Sequence, residues 1–321
     1  MFADSAVTGP LLRELRAVAG IGLRAMATRT SFAASYLSEV ETGQKPVTDA
    51  VIEAYRKVLG DPTLGLADVD VNRLASTMTD PSGAGTSSLD DVSAILERTR
   101  HLEDQVGASL VTPVIRGIDG VARALASERV GRSAAAGLAS EVARYRGWLE
   151  HAAGRTLTAD RVLADAGVLA DAAGDGSQLA HSYSFRAYVA RHAGNLSKAV
   201  DLTDAAIGIS NAHPILPVYD RYQRAELLAI QGDRPAAVRA LHRADRAAEA
   251  TDGIDLPSFG YWYTAGFWGV QRGIVLALLD RRSEAVREAT AGLAAMPANH
   301  RTAGWLASML IQIDPDMSAD T

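Results

Sequence analysis

Apolar positions over residues 10–60 fall on short helical stripes separated by turn signals. Leu12, Leu15 and Ala19 recur at the three- and four-residue spacing of one helix face, and Gly20 ends that segment. Leu23, Met26 and Ala27 form a second stripe, followed by a tight Thr30-Ser31-Phe32 connection. A third helix is predicted over about 33–41, with Leu37 and Val40 turned inward and Gly43 supplying a left-handed cap. Thr48 then caps a fourth helix that runs to near Gly60. Beyond it, DPTLGLADVDVNRLASTMTDPSGAGTSS breaks the periodicity with proline, glycine and small polar residues, and Asp80 to Ser88 reads as a linker.

From Leu89 the helical periodicity resumes and continues to about Ile313, and the closing DPDMSADT is expected to fray. Four stretches, HAAGRTLTAD, RHAGNLSKAV, AIQGDRPAAV and ALLDRRSEAV, each end one apolar helix, turn, and begin another. Gly154, Gly194, Gly232 and Asp280 mark the turns, separated by 40, 38 and 48 residues. That near-regular period is the signature of a solenoid of helical hairpins. The longest interval holds TDGIDLPSFGYWYT, read as an inserted loop, and residues 89–130 are expected to form a leading hairpin that caps the array.

Composition narrows the class. At 321 residues the chain exceeds what one core usually serves, so two units are expected: 1–70, a linker over 71–88, and a repeat domain over 89–321. An apolar fraction of 48% with 22% charged residues is globular, and abundant alanine, leucine and arginine with few aromatics favours an all-α fold. There is no cysteine, which removes disulfides, thiolate metal sites and cysteine nucleophiles. MFADSAVTGP lacks the basic flank and apolar stretch of a signal peptide, and no run of about 18 apolar residues occurs; the expectation is a cytoplasmic protein with no membrane partner. A formal net charge of -6 argues against indiscriminate coating of nucleic acid.

The set Leu15, Arg16, Gly20, Leu23, Ala27, Leu37, Ser38, Val40, Glu41 and Gly43 resembles the helix-turn-helix domain of the xenobiotic-response-element family, to which lambda-type repressors belong. Residues 134–312, with Ala199 and Ala237 soon after a Gly-polar turn, resemble tetratricopeptide repeats. The whole chain is similar to actinobacterial regulators that join these two parts, a comparison strengthened by RHLEDQVG and SEVARYRGWLEHAAG. The resemblance implies a lambda repressor-like domain followed by an α-solenoid of tetratricopeptide-like hairpins, and a transcriptional regulator that binds a double-stranded DNA operator. It also implies a partly buried structural pair between Arg16 and Glu41, which removes both from base reading.

A third helix laid in the major groove presents its first residues, and one a turn later, to base edges. Those residues are Ala34, Ser35 and Glu39, where the family usually has Gln or Arg. Alanine touches only a thymine methyl, serine bonds without strong preference, and glutamate accepts from cytosine while repelling phosphate. Tyr36 and Ser38 are further contact candidates, and Arg24, Arg29 and Lys45 are the expected phosphate clamps. Up to Gly60 there are seven Lys/Arg against six Asp/Glu, a balance of +1, so one copy should bind weakly and a homodimer is expected to supply affinity.

Carried over in register, the tetratricopeptide resemblance puts Glu141, Arg144, Trp148, His151, His181, Tyr188, Arg191, Tyr219, Tyr222 and Glu226 on a concave groove suited to a peptide or a small molecule. Such residues also serve as ordinary packing. The aromatic run Phe259, Tyr261, Trp262, Tyr263, Phe267 and Trp268 reads as a lid, a dimer surface or core, with core expected for the last two. No phosphate loop, zinc-helix histidine pair, nucleophile turn or cofactor motif is present, so an enzyme is not expected. The competing class is a protein-interaction scaffold with a vestigial DNA-binding domain.

Overall fold

In the computed structural model, residues 9–19, 21–59, 77–80, 87–127, 132–301 and 303–317 are described. Among them there is helix and no strand, as the composition anticipates. The chain divides into two compact units, residues 1–74 and 75–321. Gly20, residues 60–76 and residues 81–86 lie outside the described residues, and with them most of the expected linker.

Among the described residues the first unit has four helices: α1 (Gly9–Val18), α2 (Leu23–Thr30), α3 (Ala34–Glu41) and α4 (Asp49–Leu59). Leu12, Met26, Leu37, Val40, Val51 and Tyr55 are buried at its centre, one or two from each helix. Ser31 closes α2 at φ 61°, and Gly43 ends α3 at φ 77° with its N–H donating to Val40 O at 3.0 Å. Of the stripe expected on α1, Leu12 is buried and Leu15 partly so, whereas Ala19 is exposed. Ala19 follows the last helical residue, where the chain has turned away from the core.

The second unit stacks five helical hairpins and a closing helix. The hairpins are α5 (Ser87–Val106) with α6 (Ala108–Ser127), α7 (Arg132–Ala152) with α8 (Thr156–Ala173), α9 (Gly176–His192) with α10 (Leu196–Ile207), α11 (Leu216–Ile230) with α12 (Arg234–Ala250), and α13 (Ala265–Leu278) with α14 (Arg282–Ala295). A short α15 (Ala298–Arg301) leads to α16 (Gly304–Ile313).

The turns repeat in detail. Gly154, Gly194, Gly232 and Asp280 all take left-handed backbone, with φ of 74°, 76°, 82° and 59°. After each, the next N–H reaches back five residues: Arg155 to Glu150 O, Asn195 to Ala190 O, Asp233 to Leu228 O and Arg281 to Leu276 O, all at 2.9–3.0 Å. This Schellman bond satisfies a carbonyl that the helix end would otherwise leave unpaired. Five residues past each of these turn positions sits a buried alanine, Ala159, Ala199, Ala237 or Ala285, each 0% exposed. The absent side-chain bulk lets the second helix approach the first.

Two expectations need correction. The end of the chain is held as far as Met317: Asp314 accepts from Arg282 at 2.6 Å, and Met317 packs on the main core, because Arg282 lies next to a free carboxylate and the core edge is apolar. Residues 318–321 lie outside the described ones. The inserted segment 251–264, with a 3-10 turn at Ser258–Gly260, brings Tyr261, Trp262 and Tyr263 to a cavity that Arg144, Trp148, Tyr188 and Tyr219 also line, where an open groove was expected.

Candidate functional site

α3 is fixed from behind by a charged network. Arg16 donates from Nε and Nη2 to the two oxygens of Glu41 at 2.6 and 2.7 Å, and from Nη1 to Ile21 O at 2.8 Å. Tyr55 on α4 adds its hydroxyl to Glu41 Oε1 at 2.6 Å. Burial on its own would raise the Glu41 carboxyl, but the bonds from Arg16 and Tyr55 outweigh it and the group lies below its ordinary range. Tyr55 is pushed up by burial and by its bond to the carboxylate. Three helices are thereby tied at one carboxylate, and the resemblance had pointed to two of its three members.

On the other side of α3, Ser35 is exposed, while Ala34, Tyr36, Ser38 and Glu39 are half-buried; Arg24 and Arg29 on α2 are exposed. Lys45 Nζ pairs with Glu39 Oε2 at 2.6 Å and sits 5.2 Å from the centre of the Tyr36 ring. Tyr36 itself stacks on Phe32 at 5.6 Å. Glu39 and Lys45 therefore neutralise each other, and Tyr36 contributes packing as well as surface.

The second unit contains a cavity of about 80 Å3. Arg100, Glu103 and Asp104 of α5, Arg144, Tyr145 and Trp148 of α7, Phe185 and Tyr188 of α9, and Tyr219 of α11 form one side of it. Tyr261, Trp262 and Tyr263 of the inserted loop, Phe267 of α13, and Trp305 and Met309 of α16 form the other. Asp104 joins the first helix to the last parts of the chain, accepting from Tyr261 Oη at 2.7 Å and Trp305 Nε1 at 3.4 Å. Glu103 accepts from Tyr145 Oη at 2.7 Å and Trp148 Nε1 at 2.8 Å, and burial raises its carboxyl above the ordinary value. Arg100 pairs with Glu141 at 2.7 Å.

Arg144 is different. It is 1% exposed, lies between the rings of Phe185 and Phe259 at 5.4 and 5.7 Å, and donates from Nε to Gln178 Oε1 at 3.3 Å. Its Nη2 has no hydrogen-bond partner. Burial, then the neighbouring Arg100, brings its pKa down to about 9.

Residues 9–63 match the family model described as Helix-turn-helix domain. The first unit is a helix-turn-helix domain. This supports a DNA-binding regulator. No curated protein matches the chain. PlcR of Bacillus thuringiensis, solved in complex with the peptide PapR7 and DNA, is similar at 12% identity over 87% of this chain and 93% of that one, with a TM-score of 0.38.

With the helix-turn-helix domain at one end, the residues expected on the repeat groove divide. Arg144, Trp148, Tyr188 and Tyr219 line the cavity. The other six do not. Glu141 is committed to Arg100, and Arg191 pairs with Glu226. Tyr222 is 3% exposed, stacks on Trp268 at 5.9 Å and donates to Asp245. His181 is fully buried against Tyr263 Oη at 3.1 Å, and burial followed by the charge of Arg144 holds it well below its ordinary pKa. His151 packs among Trp148, Tyr188 and His192. The causes differ: the inserted loop covers His181, whereas Glu141, His151, Arg191, Tyr222 and Glu226 are engaged by side chains of neighbouring helices. Phe267 and Trp268 are core, as expected, at 2% and 7% exposure.

Sequence reading missed Arg100, Glu103, Asp104, Tyr145, Phe185, Trp305 and Met309. The first three lie in RHLEDQVG, which entered the sequence reading only as part of the whole-chain resemblance, although Arg100, Glu103 and Asp104 share one helix face by spacing. Among the described residues no group of three His, Asp or Glu side chains is arranged to hold a metal ion, and no helix is long and apolar enough to cross a membrane.

Proposed function

We propose that the chain is a sequence-specific, homodimeric transcriptional regulator that binds double-stranded DNA through α3, with the repeat unit sensing a small molecule, peptide or protein partner. The observation that carries this reading is the two-sided construction of α3. Its inner side is anchored at Glu41, and its outer side presents Ser35 with Ala34 and Ser38 beside it. A rigid short helix of this kind, carried on a helix-turn-helix domain, suits insertion in a major groove, and the exposed Arg24 and Arg29 would then meet phosphates. Readout by Ala34 and Ser35 depends on methyl contacts and DNA shape more than on paired hydrogen bonds. Two copies spaced ~34–36 Å apart would compensate for weak binding by one.

A second reading, an interaction scaffold with a vestigial DNA-binding domain, is favoured by the Glu39–Lys45 pair, which withdraws a cation from phosphate contact. A mobility-shift titration against salt, on the DNA upstream of the protein's own gene, separates the two. A regulator gives a steep salt slope and a shift that survives competitor DNA; a scaffold gives neither. Sedimentation in the same buffers tests the dimer.

A further inference from the structure

We propose that the cavity of the second unit is a binding site for a small organic carboxylate with a planar apolar body, and that Arg144 holds the carboxylate. The inference rests on the sensing half of the function proposed above and names its ligand class. It begins with an imbalance of polar partners. Each of the four carboxylate oxygens of Glu103 and Asp104 accepts a hydrogen bond from Tyr145, Trp148, Tyr261 or Trp305. Arg100 also has buried nitrogens, Nε and Nη2, that make no hydrogen bond, but its Nη2 lies 2.7 Å from a Glu141 oxygen, so its charge is met by an anion. Arg144 has no carboxylate within ion-pair distance among the described residues, one long bond to Gln178, and a buried Nη2 that donates to nothing. A buried guanidinium without an anion is destabilising, and a carboxylate satisfies its planar fork with two parallel bonds.

The surroundings specify the rest of the ligand. The guanidinium carbon stands over the rings of Phe185 and Phe259, and Nη2 is left without a partner for hydrogen bonding. Trp148, Tyr188, Tyr219, Trp262 and Trp305 complete a wall of ring faces and edges suited to an unsaturated or aromatic body. At about 80 Å3 the cavity has room for roughly five to eight waters. An extended peptide is too large, and the half-exposed Trp262, on the inserted loop, marks the side from which a body of one ring would enter. Each of the two acidic side chains already accepts from two fixed donors, and the cation probe in the test below reports whether their charge draws a cation instead.

The test uses the full-length protein without DNA, titrated with butyrate, benzoate, benzamide and benzyltrimethylammonium, and followed by calorimetry and by the fluorescence of the cavity tryptophans. Saturable binding of benzoate or butyrate, with benzamide at least tenfold weaker than benzoate, is expected. Arg144→Met should abolish that preference and Arg144→Lys should retain part of it, with helicity checked by circular dichroism. If Arg144→Met does not fold, the contrast between acid and amide in the unaltered protein still decides. Equal binding of acid and amide, binding of the ammonium probe alone, no saturable binding of either acid, or unchanged benzoate binding by a folded Arg144→Met protein would each overturn the proposal. Because no DNA is present, such a failure leaves the mobility-shift result standing by itself.

Discussion

At the scale of single residues, Glu41 is the carboxylate on which the helix-turn-helix domain depends. It is 3% exposed, so removing the Arg16 guanidinium strands a buried charge with only the Tyr55 hydroxyl beside it. Arg16→Ala should cost the domain about 3 kcal/mol, the low end for a broken buried pair because Arg16 is itself 12% exposed. Arg13→Ala, on the exposed side of α1, should cost little; equal melting shifts for the two would reject the pairing. The Arg16–Glu41 pair was legible through the family resemblance. Tyr55 was not, because a tyrosine at helical spacing reads as ordinary core. Asp280 poses the opposite case. It adopts left-handed backbone without being glycine, compensated only by an exposed pair with Arg234. Asp280→Gly should be neutral or stabilise by up to ~1 kcal/mol, whereas Gly194→Ala, at φ 76°, should destabilise by ~1–2 kcal/mol in denaturant unfolding.

At the scale of elements, α3 shows how a local ion pair tunes an outward face. Glu39→Gln releases Lys45 and removes a negative charge, so it should tighten DNA binding several-fold and add about one to the salt slope; an unchanged slope would mean that Lys45 does not reach phosphate. Between hairpins, Glu150 at the end of α7 accepts from Arg116 on α6 and lies beside Arg155 in the turn. The bonds from Arg116, opposed by burial and helped by Arg155, lower its pKa from 4.5 to about 2. A carboxyl lowered on folding contributes stability above pH 4.5 that is lost as pH falls toward 2. Glu150→Gln should therefore melt lower than the unaltered protein at neutral pH, with the two curves converging below pH 4.5; parallel curves would remove Glu150 as the cause. Four of the turns were legible, since Gly-polar after an apolar helix favours one left-handed backbone solution, whereas the left-handed turns at Gly107 and Gly174 were not singled out. Which helix faces met across hairpins was not legible, because every first helix carries apolar residues on more than one side.

For the second unit as a whole, closure is the feature that converts an array into a container. Asp104 receives both Tyr261 of the inserted loop and Trp305 of α16, residues 157 and 201 positions away along the chain. Asp104→Ala should raise amide hydrogen exchange in 255–263 and 304–313 while leaving α9 to α12 protected; uniform protection would show that closure does not depend on this carboxylate. The sequence by itself determined the helices, the turns and the alanines that follow them, because each is set by local periodicity, backbone sterics and capping within a few residues, while the helix-turn-helix domain was legible through its resemblance to a known family. Only the tertiary structure decided which arginine is left without an anion and which aromatics surround it. Those properties depend on solvent exclusion by segments far apart in the chain, and the spacing of neighbours along it carries no record of that.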